Sequence, residues 1–320
     1  MEIRTQMNGT PGKYRMVLRT ALRIGLAIVL LALLLYFVQV EEIKYAFQQA
    51  RGEYIAVAAG FLVFNLGLQI YKWRFLLHAN GFPFPWISII QSFFFGLTIG
   101  TLTPGQLGEL GGRGFHLASE APERIIGLTI FDKLQMLGVM LIGGGISMAI
   151  LLNLPPLFLL LIIIGSAIVL LGLLLPRFAA DILQKTPLGQ LRNKWVQGFL
   201  SVLGSMRDPR TIEISLVLTL LFYATIWIQL HFLLNAFTPV TLPASFLGFA
   251  AMMLAKSAVP ISFADLGTRE LGLVFFLSLR SVPEAAAFNS GILLFAINVL
   301  TPALIGLLFI PRSFSLRPPT

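Results

Sequence analysis

The chain has 320 residues, of which 57% are hydrophobic and 12% charged, and its mean hydropathy is +0.85. Soluble domains carry about twice that charged fraction, and no gap between the apolar runs could hold one, so we predict a single integral membrane domain over residues 1–320. The net charge of +9 lies mainly in loops, as the positive-inside rule expects, and this excludes a nucleic-acid role.

The apolar runs predict six membrane helices, each near the roughly 20 residues that a crossing needs. The basic N-terminus and first run resemble a signal peptide, but no small-residue cleavage site follows before Glu41, so we predict a retained helix. The predicted spans are residues 22–39, 54–71, 125–152, 156–175, 212–236 and 285–311.

Two further apolar segments, residues 86–121 and 243–280, are interrupted by proline and glycine. Residues of these types at such density stop a helix, so each segment is predicted to be a broken-helix hairpin. The break residues are Pro104, Gly105 and Gly108 in the first segment, and Pro260 and Gly267 in the second.

Loop charges predict the orientation. The basic N-terminus, Lys72 and Arg74 after the second span, and the basic stretch 176–211 are predicted to be cytoplasmic, whereas the acid-rich loop 41–53 is outside. This holds if both broken segments return to the side they entered. We therefore predict an all-α polytopic protein of the cytoplasmic membrane with both termini inside, built from about six transmembrane helices plus two re-entrant hairpins. Eight crossing helices are the alternative.

The two breaks are related by an internal repeat. An offset of 156 residues aligns them without a gap in the pattern P-x4-[DE]-L-G-x-R. Repeat 1 spans about 22–152 and repeat 2 about 156–311, with an amphipathic connector over about 176–211 that we expect along the inner headgroup surface. Three predicted helices separate the copies, so the repeat is inverted. Inverted repeats with broken helices are typical of secondary transporters, because freed backbone groups must face protein or a watery cavity.

The charged side chains near the breaks form the candidate site, because ionisable groups at membrane depth pair with one another or line a polar path. Arginine binds phosphate bidentately. The predicted lipid-headgroup ligands are Arg113, Arg269, Lys133 and Lys256, and the predicted coupling or ion-pairing residues are Glu109, Asp265, Glu270 and Asp132.

Several alternatives remain open for these residues. The charge pairs can be structural salt bridges that hold the hairpins, the breaks can merely end short helices at the surface, and Asp132 with Lys133 can reach toward the interface. We expect no metal site, because the chain has no cysteine and its three histidines, His78, His116 and His231, are far apart. No phosphate-cradling loop motif occurs, so we expect no bound cofactor or direct use of ATP.

Three motifs in this order carry a resemblance to a known family. They are the run 71–77 (YKWRFLL), Pro104 to Glu109 with Arg113, and Pro260 to Ser262 followed by Asp265 to Glu270. This pattern resembles the flippase-like transmembrane region of lysylphosphatidylglycerol synthases and their stand-alone relatives, over residues 15–312. The chain ends at Thr320, so the resemblance implies a stand-alone member without the aminoacyl-transferase domain, which moves a lipid across the membrane.

Our leading hypothesis is a transporter or flippase for an anionic phospholipid or a polyprenyl-phosphate-linked glycolipid, with no catalytic residue. A second hypothesis is an enzyme acting on polyprenyl phosphates, with Glu109, Asp132 or Asp265 as acid or base. A third is an accessory protein in cell-envelope glycoconjugate synthesis. Membrane lipids are the expected partners, with a glycosyltransferase or lipid-modifying enzyme as a further one.

Overall fold

The computed structural model describes residues 48–103, 105–117, 121–191, 193–206, 208–258, 265 and 267–309. All regular structure in these ranges is helical. The first predicted span, residues 22–39, and both break prolines, Pro104 and Pro260, lie outside the described residues, as do the two termini.

The described chain folds into thirteen α-helices. Proline in the first turn begins several of them, where its missing N–H costs no hydrogen bond. In chain order they are α1 (Gly52–Ala79), α2 (Trp86–Thr101), α3 (Gly108–His116), α4 (Pro122–Leu151), α5 (Pro156–Leu174), α6 (Pro176–Gln184), α7 (Pro187–Gln190), α8 (Lys194–Ser205), α9 (Pro209–Phe237), α10 (Leu242–Ala258), α11 (Thr268–Ser278), α12 (Glu284–Phe295) and α13 (Thr301–Gly306). A π-helical turn (Ala296–Leu300) joins α12 to α13, and a 3₁₀ turn (Leu307–Phe309) follows.

Five helical stretches within the described ranges are long and apolar enough to cross a membrane: α1, α4, α5, α9 and the continuous stretch Glu284–Phe309. They coincide with five of the six predicted spans. The prediction of an all-α polytopic membrane protein is therefore confirmed.

The second span is longer than the sequence suggested. The predicted helix ended at residue 71, with Lys72 in a cytoplasmic loop, but α1 continues to Ala79 and buries Lys72 and Trp73. The lysine does not end the membrane helix because Asp132 on α4 compensates its charge, Nζ to Oδ1 2.6 Å. Charge alone therefore misplaced this helix end.

The two broken segments form antiparallel helical hairpins, as the break residues predicted. In hairpin 1, formed by α2 and α3, a methyl group added at Gly112 would lie 2.9 Å from Gly96 Cα. In hairpin 2, formed by α10 and α11, Gly272 faces Met252 in the corresponding way. The longer arms have 16 and 17 residues, or about 24–26 Å at 1.5 Å per residue, which is short of a hydrocarbon core of about 30 Å.

The equivalent helices α1 and α9 lie side by side and antiparallel. The backbone N–H of Arg51 donates to Ala236 O over 2.9 Å at one end, Gln229 Nε2 donates to Ala58 O over 2.8 Å further along, and Lys72 contacts Thr219 near the other end. An offset of 156 residues places the α1 range onto the α9 range. An inverted repeat requires that equivalent helices run in opposite directions, and α1 and α9 meet this requirement.

Each hairpin packs on the long helix of the opposite repeat. Thr98 on α2 donates its hydroxyl to Ala303 O on α13 over 2.9 Å, and Ser257 on α10 places its hydroxyl 3.1 Å from Met140 Sδ on α4. The hairpins consequently approach each other tip to tip. Gln106 Nε2 in the first break donates to Asp265 Oδ2 in the second over 3.3 Å.

The connector packs on the bundle, and its predicted position along the headgroup surface stays a prediction. Its main helix, α8, buries Leu200, Val202 and Leu203 against the protein, and Gly198 packs directly on the backbone of Glu123 at the start of α4. This part of the connector therefore packs on the bundle, whereas Phe178 and Ile182 of α6 are exposed. The absence of a side chain at Gly198 permits this approach, because a Cβ there would lie 2.5 Å from Glu123 O.

Candidate functional site

A polar cavity of about 170 Å³ lies where the hairpin tips meet α1, α4, α9 and α12. Its charged lining residues are Glu109, Lys133, Lys256 and Arg269. Amide side chains add hydrogen-bonding groups, and the remaining wall is largely aliphatic, with Met136 and Met140 from α4. The cavity is thus a polar, mainly cationic chamber inside an apolar bundle.

One group of charges surrounds the first hairpin. We call it the hairpin-1 ion cluster, and it consists of Lys72, Glu109, Arg113, Asp132 and Lys133. Glu109 forms salt bridges with both Arg113 and Lys133, while Asp132 is 3.3 Å from Arg113 and 2.6 Å from Lys72. Three elements, α1, α3 and α4, therefore share one ionic network.

Arg113 occupies the interior of this cluster rather than the cavity wall. Its side chain is 2% exposed, and its guanidinium carbon lies 5.1 Å from the Trp73 ring centroid and 4.9 Å from that of Phe93. This placement favours the structural salt bridge, the alternative to a headgroup ligand. Lys133, with a side chain 41% exposed, is the cation that the cluster presents to the cavity.

The second group of charges is smaller. The hairpin-2 ion cluster consists of Lys256, Asp265 and Arg269, with Lys256 Nζ 2.7 Å and Arg269 Nη2 4.0 Å from Asp265 Oδ2. Arg269 lies 5.5 Å from the Phe295 ring centroid and also lines the cavity. Lys256 and Arg269 therefore both line the cavity, and their role as headgroup ligands stays a prediction.

Glu270 has a local structural role at the start of α11. Its Oε2 accepts a hydrogen bond of 2.7 Å from the backbone N–H of Gly267. Gly267 has a φ of +84°, and Asp265, two residues earlier, has a φ of +60°, so two positions with positive φ precede the helix. This carboxylate satisfies one of the N–H groups that every helix start leaves without an intrahelical partner.

Sequence reasoning missed two parts of the site. Lys72 was read as a loop residue, although the apolar run resumes at Phe75 and could have indicated a longer helix. The second is an amide cluster in which Asn65 and Asn298 both donate to Gln229 Oε1, over 2.8 and 2.6 Å. Amides in otherwise apolar spans were the available signal for it.

Two further spaces adjoin the cavity. One of about 50 Å³ reaches Lys72, Asp132 and Lys133. The other, of about 250 Å³, lies around the hairpin tips and shares Gln106, Lys133 and Lys256 with the main cavity. The contact between Gln106 and Asp265 therefore stands between neighbouring polar spaces.

Comparison with known proteins agrees with the motifs. The family described as the lysylphosphatidylglycerol synthase TM region matches residues 20–306, which cover both hairpins and both ion clusters. A comparison with curated proteins gave no significant match. The match spans well over half of the sequence. It includes all five described transmembrane stretches, apart from the last three residues of the stretch Glu284–Phe309. The chain therefore belongs to the family of the lysylphosphatidylglycerol synthase transmembrane region.

Proposed function

We propose that this protein moves an anionic phospholipid or a polyprenyl-phosphate-linked lipid between the two leaflets of the membrane. Family membership associates the chain with membrane-lipid handling. The observation that carries the proposal is the cationic cavity at the meeting point of two oppositely directed hairpins, lined by Lys133, Lys256 and Arg269. Such broken-helix sites near the middle of the membrane bind the substrates of secondary transporters.

In this proposal, some residues of the two ion clusters bind the headgroup and others hold the binding residues in position. Lys133, Lys256 and Arg269 contact the phosphate of the headgroup, and the acyl chains remain in the surrounding lipid. Arg113 and Asp132 are positioning residues, because they hold Glu109 and Lys72 in a fixed network from which Lys133 extends. The amide cluster provides hydrogen-bonding groups on the opposite wall.

The contact between the hairpin tips acts as the gate in this proposal. Gln106 and Asp265 join the hairpins from the two repeats, and Lys256 also binds Asp265. A phosphate that attracts Lys256 weakens its pairing with Asp265. The headgroup can then pass from one polar space to the next while the rest of the bundle stays packed.

Leaflet transfer tests the proposal. Purified protein in liposomes with labelled phosphatidylglycerol or a labelled polyprenyl phosphate is expected to transfer one of them, and Arg269→Ala and Lys133→Ala are expected to lose most of that transfer. Arg280→Ala is the matched control, because Arg280 is exposed and outside the cavity. Equal transfer by all three variants would contradict the cavity assignment. A change in lipid mass during the assay would instead favour the enzyme hypothesis.

The setting of this activity follows from the same proposal. We place the protein in the cytoplasmic membrane with both termini inside, and we propose a glycosyltransferase or another lipid-modifying enzyme as the partner that supplies or uses the transported lipid. Co-purification of such an enzyme's activity with the tagged protein from native membranes tests this partner. Its absence from gently solubilised preparations would count against it.

A further inference from the structure

One face of α1 is open in the part of the chain that the structure describes. Val63, Phe64 and Tyr71 are exposed on this face, and Gly60 and Gly67 lie between them. These residues line an open groove of about 500 Å³. A Cβ added at either glycine would meet no described atom within 4 Å. The groove thus gives a second helix access to the α1 backbone.

The opposite face of α1 is packed. Ala58, Asn65 and Lys72, spaced by seven residues, are buried there. Gln229 donates to Ala58 O over 2.8 Å, and Lys72 contacts Thr219, so α9 covers much of this face. The same side of α1 also contributes to the cavity. A further helix packed on α1 would therefore use the groove.

The nearest helix along the chain is the predicted first span, residues 22–39, which lies outside the described residues. Residues 40–51 alone join it to α1. Elements that follow each other in sequence usually pack side by side, and two consecutive membrane helices run in opposite directions. The family match begins at residue 20, so this span belongs to the same family domain as α1.

The small residues of this span match those of the groove. Gly25 and Ala32 are seven residues apart, as are Gly60 and Gly67, so each pair lies on one face of its helix. In the antiparallel register that sets Ala32 opposite Gly60, Gly25 falls opposite Gly67. Residue 40 then falls opposite Gly52, where α1 begins. Facing small residues let two membrane helices approach closely and gain van der Waals contact.

Large side chains meet small ones in the same register. Tyr71 of α1 falls opposite Ala21, and Tyr36 of the predicted span falls opposite Ala56. Ala56 is exposed and lies on the same face of α1 as the groove. The two faces are therefore complementary beyond the two glycine positions.

We propose that the groove on α1 is the docking site of the first membrane span, residues 22–39, in this antiparallel register. The docked helix covers the exposed Val63 and Phe64. It also supports α1 from the side opposite the cavity, where Asn65 and Gln69 form part of the cavity wall. The proposal is independent of the proposed function, because it concerns how this wall is held and not what the cavity binds.

Paired cysteines test the docking, since the natural chain has none. In native membranes under mild oxidation, Gly25→Cys with Gly67→Cys and Ala32→Cys with Gly60→Cys are expected to form disulfides. The exchanged pairs, Gly25→Cys with Gly60→Cys and Ala32→Cys with Gly67→Cys, are the matched controls. They use the same four substitutions but separate the partners by seven residues, about 10.5 Å along a helix. A disulfide needs Cα atoms about 4.4–6.8 Å apart, so the controls are expected to give at least about tenfold less product.

Mass spectrometry identifies the product. Trypsin cuts after Arg23, Lys44, Arg51 and Lys72, so each expected disulfide joins the peptides 24–44 and 52–72. Non-reducing electrophoresis separates disulfides within one chain from those between two chains. Single variants Gly60→Cys and Gly67→Cys show whether two copies of the chain meet at the groove.

Filling the groove gives a second test. Gly67→Leu, added to the pair Ala32→Cys and Gly60→Cys, is expected to lower the disulfide yield at least about fivefold, because a large side chain keeps the two helices apart. Ala59→Leu is the control. Ala59 is also exposed but lies about 100° around the helix from Gly60, so the yield is expected to stay unchanged.

Each outcome decides the proposal. Disulfides in the expected pairs and not in the exchanged pairs support it. Equal yields in all four pairs, or higher yields in the exchanged pairs, overturn it. Efficient dimers of the single variants would assign the groove to a second copy of the chain and overturn it as well. Failure of every pair in protein that remains folded would assign the groove to lipid chains, with the same result.

Discussion

The two hairpins share one motif at an offset of 156 residues, but their carboxylates lie in different surroundings. Glu109 is 1% exposed and forms salt bridges with two cations within the hairpin-1 ion cluster. Asp265 is 11% exposed, has one close cation at 2.7 Å, and contacts the tip of the other hairpin. One copy of the motif therefore fixes the bundle, and the other copy faces the moving parts of the proposed cycle.

The packing between the two arms is also tighter in hairpin 1 than in hairpin 2. In hairpin 1 the helices meet through the backbone at Gly96 and Gly112, whereas in hairpin 2 a flexible side chain, Met252, fills the space opposite Gly272. Direct backbone contact fixes the distance between the two arms, whereas a flexible methionine side chain can adjust when that distance changes. The protein thus combines a hairpin packed through its backbone with one packed through an adaptable side chain.

The largest effect is expected when the buried carboxylate of hairpin 1 loses its charge. Glu109→Gln leaves Arg113 without its close counterion and is expected to lower the free energy of unfolding by about 3–5 kcal/mol. Asp265→Asn is the matched variant in hairpin 2 and is expected to cost less, because its partner Lys256 is 14% exposed and can rehydrate. Denaturant unfolding of both variants in one detergent measures the difference. Equal losses would remove the distinction between the clusters.

Next in size is the effect of closing the gap between the arms. Gly112→Ala places a methyl group 2.9 Å from Gly96 Cα and is expected to cost about 1–3 kcal/mol, because backbone must move. Gly272→Ala meets the flexible Met252 Cγ most closely, at 3.1 Å, with the backbone Cα at an ordinary 3.6 Å, and is expected to be neutral or to gain up to about 1 kcal/mol from helix propensity. Thermal unfolding of the two variants compares them. A larger loss for Gly272→Ala would contradict the adaptable hairpin.

A smaller effect is expected at the start of α11. Glu270→Ala leaves the Gly267 N–H without its side-chain acceptor and is expected to cost about 1–2 kcal/mol. Glu270→Gln keeps an acceptor oxygen and should cost less. Hairpin 1 has Gly114 at the equivalent position, so Gly114 offers no such side chain. If Glu270→Gln were as damaging as Glu270→Ala, the charge rather than the hydrogen bond would be responsible.

The opposite entry of the hairpins can be tested with no expected loss of stability. The natural chain lacks cysteine, so single cysteines at Ala50, Gln190 and Ser281 report sidedness directly. An impermeant maleimide added to intact cells is expected to label the first and third positions, and to reach Gln190 only after the cells are opened. Labelling of Gln190 from outside would reverse the orientation, and labelling of Ser281 only from inside would contradict the inverted repeat.

Much of the fold was predictable because long apolar runs have few alternatives in a membrane. Hydropathy located α1, α4, α5, α9 and the last span, and proline with glycine located both hairpins. Helix ends were less predictable. Lys72 was taken as the end of a span, since a single sequence does not reveal that Asp132, sixty positions later, pairs with it.

The candidate site was predictable as a set of residues but not as an arrangement. The sequence identified the charged residues of both motifs, because ionisable groups in apolar segments are costly without a partner. It named Arg113 among the headgroup ligands, whereas Trp73, Phe93 and Glu109 enclose that guanidinium. The amide cluster was missed because amides in a span carry no charge to mark them.

The class of protein, the two breaks and the family can be recognised without coordinates, because they depend on composition and on local patterns. Which charges pair within the bundle and which face the cavity is visible only in the folded protein, because the paired groups lie on helices that are distant in sequence. Only the crossing of α1, α3 and α4 brings Lys72, Arg113 and Asp132 together, and only the packing of α10 on α4 sets Lys133 at the same cavity as the cations of the second hairpin.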